Sequence, residues 1–283
     1  MLKLYYLYVH QLTWGIIMKA AYIGIDILYP ALTSLYDTGC EILKIFTCKT
    51  DNVTEFNTQT TAFAGEHSIP LQTDRIKRED LYKLHEMGCD FVLVGGYYHI
   101  IPVIEEMPIV NTHPSLLPVG RGAWPMPITI LKGLKESGVT LHRMVKELDA
   151  GNIILQEKIP VFPEDDLISL SKRQHSVIPG MVKELVSDFD NLWNNAYPQP
   201  EGDWYWDMPT EDDYTVRSDM SYEEADLILR AFMGYECIYI NKDKNIRLEF
   251  IEAKAHKGSP DSITGGTWPL CDGFITCERI RKL

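Results

Sequence analysis

The segment Asn111-Thr112-His113-Pro114-Ser115 places an amide, an imidazole and a hydroxyl within five residues. An Asn side-chain amide and an imidazole N–H both donate hydrogen bonds to an oxygen on which negative charge develops. An imidazole also transfers protons near neutral pH. Taken alone, the segment is more typical of a strand end, in which Asn111 caps a turn and Pro114 ends the extended chain.

An acidic side chain, Asp149, follows 36 residues after His113 in the sequence Leu148-Asp149-Ala150-Gly151. A carboxylate beside a histidine selects the tautomer of the imidazole and stabilises its cation, and it can also hold a water molecule that relays protons. The alternative for Asp149 is turn chemistry ahead of Gly151. A catalytic role therefore requires a fold that brings Asp149 next to Asn111 and His113.

Short apolar segments alternate with helical ones around these residues. Because strands that alternate with helices favour an α/β domain, we expect a mostly parallel sheet. Ligands of such sheets bind beyond the carboxyl ends of strands, where Gly95-Gly96 and the segment 111–115 fall. The predicted strands span 20–26, 42–48, 90–94, 108–111, 138–145 and 153–161, and the predicted helices span 31–37, 78–87, 125–133 and 166–194, the last broken or kinked at Pro179.

A second unit follows a change of composition near Tyr197. The segment 197–220 is rich in Pro, Asp and Trp and is predicted to be a linker. A helix over 221–232 begins with a capping box of Ser221 and Glu224, and strand-like segments follow at 236–241, 247–253 and 273–278. The sequence thus predicts an N-terminal extension over 1–17, a catalytic domain over 18–196 and a small β-rich, OB-like domain over 221–283.

The formal net charge of −13 and the isoelectric point of about 5.1 disfavour nucleic acid and anionic membranes as partners. Six cysteines without a C-x-x-C pair indicate reduced thiols and a cytoplasmic location. His142, His175 and His256 stand apart from other metal ligands and are interpreted as packing or surface residues, so no metal is expected. The glycine patterns of dinucleotide-binding and P-loop proteins do not occur.

Three motifs in order resemble the 10-formyltetrahydrofolate-dependent formyltransferase family. The family pattern is N-x-H-x-S-L-L-P, then a Gly-Val-Thr strand, then L-D-x-G. These motifs stand here at 111–118, 138–140 and 148–151. The resemblance covers roughly residues 19–283 and is most specific over 90–165. It implies a Rossmann-like formyltransferase domain that uses N10-formyltetrahydrofolate as co-substrate, without a metal.

The resemblance also implies roles for individual residues. Asn111 would donate to the developing oxyanion, His113 would transfer the proton and support the oxyanion, and Asp149 would orient the histidine and relay protons. The residues expected to support the site loop are Ser115, Arg121 and Gly122. The positions that match the folate-binding loops are Tyr98, His99, Ile100, Ile101, Val145, Glu147 and Leu148.

The acceptor amine is less well determined. Residues 200–283 hold ten Lys or Arg and seventeen Asp or Glu, a net charge of 10 − 17 = −7, and residues 51–67 contain no Lys or Arg. Both observations disfavour transfer RNA. We therefore expect a small amine of the kind used by the sugar N-formyltransferase branch, a nucleotide-linked 4-amino-4,6-dideoxy sugar such as a UDP-linked sugar of the pseudaminic type.

Other acceptors stay open from the sequence. They are the methionyl group on initiator transfer RNA, an aminoacyl group on a carrier, and water, which would make the protein a 10-formyltetrahydrofolate hydrolase. The aromatic segment Trp204-Tyr205-Trp206 would either stack on a base or sugar or pack as a linker against the first domain. A homodimer through the β-rich unit is the family-based expectation.

Overall fold

The computed structural model of the protein describes residues 17–260 and 266–282. The predicted N-terminal extension, apart from Ile17, lies outside these described residues. Among the helices of the described chain, none combines the length and apolarity needed to cross a bilayer.

A seven-stranded sheet forms the larger unit, with strand order β3-β2-β1-β4-β5-β6-β7. Strands β1 to β5 pair in parallel, whereas β6 pairs antiparallel with both β5 and β7. The sequence therefore predicted the fold class correctly, and the last two strands turn the sheet antiparallel beside the motif residues. The strands are β1 (Lys19–Gly24), β2 (Glu41–Phe46), β3 (Leu71–Gln72), β4 (Phe91–Gly95), β5 (Ile109–His113), β6 (Glu136–Arg143) and β7 (Ile153–Pro160).

Helices cover both faces of this sheet because alternate residues of a strand point to opposite sides. In β1, Ala20 and Tyr22 pack in a cluster with α1 and α5, while Ala21 and Ile23 pack in a second cluster with α3. Parallel strands buried on both faces account for the continuous apolar sequence of β4. The helices are α1 (Tyr29–Asp37), α2 (Thr58–Glu66), α3 (Arg78–Glu86), α4 (Pro125–Leu131), α5 (Leu167–Ser187) and α6 (Phe189–Asn194).

Helix α5 continues through Pro179 and ends at Ser187, and the separate helix α6 covers the end of the segment predicted over 166–194. A proline in a helix interior removes one hydrogen bond, and it does so here beside the fully buried Ile178. Because Met181 and Leu185 bury the same face against the sheet, tertiary packing keeps the backbone helical. The helix is therefore not broken at Pro179, and the kink that the sequence offered as the alternative stays a prediction.

The smaller unit is a five-stranded sheet with strand order β11-β12-β10-β9-β8. Its helix α7 (Tyr222–Ala231) begins with the predicted capping box, in which the Ser221 side chain accepts from the Glu224 N–H. The strand β8 lies inside the segment predicted to be a linker. The strands are β8 (Thr215–Arg217), β9 (Cys237–Asn241), β10 (Ile246–Lys257), β11 (Thr267–Pro269) and β12 (Gly273–Lys282).

One apolar cluster joins the two units. Met126 and Ile130 of α4 and Leu170 of α5 pack in the same buried cluster as Phe232 and Tyr239 from the smaller unit. Burial of this shared surface fixes the smaller sheet against the larger unit. The intervening segment contacts the larger unit through hydrogen bonds between Arg121 and the main chain of Trp204 and Trp206. The domain boundaries 18–196 and 221–283 remain a prediction.

Candidate active site

The carboxyl end of β5 places Asn111 and His113 on one face, since residues two apart in a strand point the same way. The strand lies between β4 and β6, so its end is enclosed on both sides. His113 is buried and Asn111 is half-buried. The sheet therefore presents an amide and an imidazole side by side at the edge where the sequence predicted a ligand site.

The turn between β6 and β7 brings Asp149 to the same place. Its φ angle is +51°, a left-handed conformation that Asp adopts more readily than most residues. A Cβ on Gly151 would lie 1.8 Å from the Arg143 carbonyl oxygen, so this turn requires glycine there. The structure thus brings together Asn111, His113 and Asp149, which lie up to 38 positions apart in the chain.

The hydrogen bonds of His113 select its tautomer. Its Nε2 lies 2.8 Å from the Gly120 carbonyl oxygen, and because a carbonyl only accepts, Nε2 carries the proton. The unprotonated Nδ1 then faces Asp149, 3.7 Å from Oδ2. Burial lowers the pKa of His113 below its usual value, and the opposing effect of Asp149 is smaller. His113 is therefore a neutral base with its free lone pair beside a carboxylate.

The carboxylate of Asp149 remains ionised although it is buried. Burial alone would raise its pKa, but His113, His142 and the Gly122 N–H together lower that pKa to about 2. The Gly122 N–H donates to Oδ2 at 3.0 Å, and the Asn111 side chain donates to Oδ1 at 3.4 Å. A fixed negative charge therefore lies where it stabilises a protonated His113.

A second histidine, His142, belongs to this cluster. It is the register partner of Asn111 across β5 and β6, and its Nε2 lies 3.0 Å from Asn111 Nδ2 and 3.6 Å from Asp149 Oδ1. Its Nδ1 donates to the Arg143 carbonyl at 2.9 Å, which leaves Nε2 to accept from Asn111.

The interpretation of His142 as an isolated histidine is corrected by this geometry. The signal in the sequence was its spacing: His142 stands two residues after Thr140 of the Gly-Val-Thr strand, on the same strand face. Thr140 already supports the site loop, because its hydroxyl donates to the Ser115 carbonyl at 2.7 Å and accepts from the Leu117 N–H at 3.2 Å.

The predicted supporting residues lie in the loop after β5. The Ser115 hydroxyl donates to the Val119 carbonyl at 2.8 Å and closes the loop on itself. The Arg121 side chain points to the linker, where Nε donates to Gln199 Oε1 at 2.8 Å. Gly122 has a φ of +126°, and a Cβ there would lie 2.3 Å from the Trp206 carbonyl oxygen. A side chain at position 122 would therefore displace the N–H that binds Asp149.

A cavity of about 670 Å³ opens over this cluster, within the size range of small-molecule sites. Five of the seven positions matched to the folate loops line it, together with the three predicted catalytic residues; the five are His99, Ile100, Ile101, Val145 and Leu148. Tyr98 and Glu147 are not among its lining residues, and neither is Arg121. Across 17–260 and 266–282, no group of three or more His, Cys, Asp or Glu side chains is arranged to hold a metal ion.

Known proteins resemble this chain in sequence. Residues 49–184 match the family model described as formyl transferase. The methionyl-tRNA formyltransferase of Lactobacillus acidophilus is 30% identical over 213 residues, which span 71% of this chain and 68% of that protein.

Two solved structures resemble the fold. A variant of HypX from Aquifex aeolicus superimposes with a TM-score of 0.69 at 16% identity, over 94% of this chain and 45% of that one. A sugar N-formyltransferase from a Shewanella species gives a TM-score of 0.62 at 17% identity, over 81% of this chain and 95% of that one. The sequence relationship, which extends over two thirds of the Lactobacillus enzyme, shows that the chain belongs to the formyltransferase family of enzymes.

Proposed function

We propose that this enzyme moves the formyl group of N10-formyltetrahydrofolate to the amine of a small substrate, a nucleotide-linked 4-amino-4,6-dideoxy sugar. The observation that carries the proposal of formyl transfer is the convergence of Asn111, His113 and Asp149 at one end of one cavity. A base, a hydrogen-bond donor and a fixed negative charge are the groups that amine attack on a carbonyl requires.

The walls of the cavity suit the formyl donor. Ile100, Val145 and Leu148 line it and are all exposed. A flat ring system placed between the two loops would cover these apolar side chains and be fixed by main-chain polar groups. The formyl group on N10, which is attached to that ring through a short link, would then lie over the end of β5, within reach of Asn111 and His113.

His113 would take the proton that the attacking amine must lose. Its Nδ1 accepts that proton, and the carboxylate of Asp149 stabilises the imidazolium that forms. The new bond joins the amine nitrogen to the formyl carbon, the bond from that carbon to N10 breaks, and the proton passes from His113 to N10. The products are a formamide and tetrahydrofolate, so atoms and charge balance without a further reactant.

Asn111 would donate to the formyl oxygen as charge develops on it. Its Nδ2 makes a 3.0 Å contact with His142 and a longer, 3.4 Å contact with Asp149. The formyl oxygen would replace the longer contact, while His142 continues to orient the amide. Removal of one such donor typically costs about 10²–10³ in rate.

The charge of the chain favours a small acceptor over transfer RNA. Residues 200–283, with a net charge of −7, and residues 51–67, without Lys or Arg, give transfer RNA little to bind. The similarity to the Shewanella sugar N-formyltransferase, over 95% of that chain, supports an amino-sugar nucleotide as the acceptor. A second candidate, initiator transfer RNA, is supported by the 30% identity to the Lactobacillus methionyl-tRNA formyltransferase.

One assay separates these candidates. Purified enzyme with N10-formyltetrahydrofolate is offered a panel of amino-sugar nucleotides and, separately, methionyl-tRNA, and mass spectrometry detects the formylated product. We expect formylation of a 4-amino sugar nucleotide and none of methionyl-tRNA. Formylation of methionyl-tRNA alone would overturn the sugar assignment, and formate release without any acceptor would identify a hydrolase.

A further inference from the structure

The side chain of Gln199, in the segment that leads out of the larger unit, connects two loops of the site. Its Nε2 donates to the carbonyl oxygens of Asp149 at 2.8 Å and Gly151 at 2.7 Å. Its Oε1 accepts from Arg121 Nε at 2.8 Å. Both N–H groups of this amide are thus used, and no other residue type of similar size offers two donors and an acceptor in this arrangement.

Each loop that Gln199 joins controls one of the catalytic groups. Arg121 lies between Gly120, whose carbonyl fixes the proton on His113 Nε2, and Gly122, whose N–H binds the Asp149 carboxylate. On the other side, the bonded carbonyl belongs to Asp149 itself. The contacts therefore link His113 through the 120–122 loop and Gln199 to Asp149. The side chains of His113 and Asp149 close this ring of contacts, with 3.7 Å between Nδ1 and Oδ2.

The linker is also attached by contacts that do not involve the Gln199 side chain. The Arg121 N–H donates to the Trp204 carbonyl at 3.2 Å, and the Trp206 N–H donates to the Arg121 carbonyl at 2.7 Å. The Asn152 side chain donates to the Ala196 carbonyl at 3.0 Å. Removal of the Gln199 amide therefore leaves the path of the linker largely in place and frees only the two loops from each other.

We infer that Gln199 is a positioning residue for formyl transfer: it holds the Asp149 carbonyl and Arg121 together, and so keeps the Asp149 carboxylate against Nδ1 of His113. It acts through these residues and is not placed against the substrate. The inference deepens the proposed function and rests on it for its catalytic consequence. A displacement of a catalytic group by about 1 Å is enough to cost about 10²-fold in rate.

Two variants and a matched control test this role. Gln199→Met keeps a side chain of similar length but loses all three hydrogen bonds, whereas Gln199→Glu keeps the acceptor for Arg121 and loses both donors. Asn152→Ala removes a hydrogen bond to Ala196, the residue directly before the linker, and no hydrogen bond to Asp149 or Arg121. For each protein, kcat and KM for N10-formyltetrahydrofolate are measured across a pH series, together with the melting temperature.

We expect kcat to fall about 10- to 100-fold in both Gln199 variants, with KM for the formyl donor within about threefold of wild type. In Gln199→Met the acid limb of the kcat profile moves to lower pH, because Asp149 then raises the pKa of His113 less. Asn152→Ala should retain wild-type kcat and pH profile. A lower melting temperature with unchanged kcat and pH profile in the Gln199 variants, or an equal loss of kcat in Asn152→Ala, would overturn the inference.

An NMR titration of the His113 ring protons separates this inference from the proposed function, because it needs neither donor nor acceptor. We expect His113 to titrate at lower pH in Gln199→Met than in wild type and at the wild-type pH in Asn152→Ala. If wild type forms no formylated product and this shift is present, the positioning contact stands and the proposed reaction fails. An unchanged His113 titration in Gln199→Met overturns the positioning role whatever the activity.

Discussion

The buried floor of the cavity and its exposed rim are held in place in different ways. On the floor, His113, His142 and Asp149 are 2–8% exposed, and each is hydrogen-bonded to main-chain groups. On the rim, Ile100 is 82% exposed and Leu148 is 55% exposed. Under the proposed function, the reacting groups would be preorganised before substrate binds, and the formyl donor would be held by apolar side chains that are exposed to water in its absence.

The difference follows from what holds each region. The floor is fixed by strand register, because the pairing of β5 with β6 sets Asn111 opposite His142. The rim lies on the loops that follow β4 and β6, where no sheet ladder fixes the side chains. Loops on a rigid scaffold commonly carry binding residues for this reason. Substitutions on the floor should therefore affect kcat, and substitutions on the rim should affect KM.

The largest effect is expected from the floor itself. His113→Ala should lower kcat by about 10²–10⁴, since it removes the base, and Asn111→Ala by about 10²–10³, since it removes an oxyanion donor. Steady-state kinetics with saturating N10-formyltetrahydrofolate measures both.

Asp165→Asn is the matched control for these floor variants. Asp165 is also buried, but it does not line the cavity. Burial would raise the pKa of Asp165, but Arg173 and neighbouring donors lower that pKa to about 2. Its replacement should lower the melting temperature and leave kcat unchanged. Equal kcat losses in Asp165→Asn and His113→Ala would refute a catalytic floor.

Smaller effects are expected for the pH dependence of kcat and for the replacement of Asp149. Because the folded pKa of His113 lies below 6.5, kcat should be flat above that pH and should fall as the pH drops through the folded pKa. Neutral His113 likewise stabilises the fold above pH 6.5, and this contribution is lost as the pH falls through the folded pKa. Asp149→Asn removes the charge that raises the pKa of His113.

The Asp149→Asn variant should therefore show a lower His113 pKa by NMR, together with a lower kcat. Asp165→Asn again serves as the control and should leave the His113 titration where it is in wild type. A His113 pKa that rises in Asp149→Asn would contradict the proposed pairing of carboxylate and imidazole.

Rim substitutions should give an intermediate effect on donor affinity. Leu148→Ser and Ile100→Ser should each raise KM for N10-formyltetrahydrofolate about tenfold, because a buried Leu or Ile side chain contributes about 1.5–3 kcal/mol relative to an exposed one. Their kcat should stay within about threefold of wild type. Met208→Ser, which alters a 56% exposed side chain outside the cavity, is the control. A fall in kcat at constant KM would instead show that these side chains act in the chemical step and not in binding of the donor.

The smallest effect is expected far from both regions. Ser221→Ala removes the N-cap of α7 and should lower the free energy of unfolding by about 1 kcal/mol, measured by urea denaturation. Activity at 25 °C should not change, because α7 packs in the cluster behind α4 and does not line the cavity. A loss of kcat in this variant would show that the smaller unit is coupled to the floor.

Local patterns predicted most of the fold that matters for the site. The buried strands β1 and β4 were predicted because each holds four consecutive apolar residues, Ala20 to Ile23 and Phe91 to Val94. The strands β3, β8 and β11 have only two or three residues, too few for a period to be seen, and they depend on a neighbouring strand for their hydrogen bonds. Of the two effects predicted for Pro179, a break or a kink, the break does not occur, because the packing that keeps the helix continuous is not local.

By itself the sequence determined the family and predicted three reacting side chains, since the spacing of Asn111, His113 and Asp149 is a property of the chain. Only the tertiary structure decided how they are held. The register of two antiparallel strands places His142 beside Asn111, and the linker that follows α6 places Gln199 between two loops. Such contacts join residues 31 to 78 positions apart, so no local pattern of residue types encodes them.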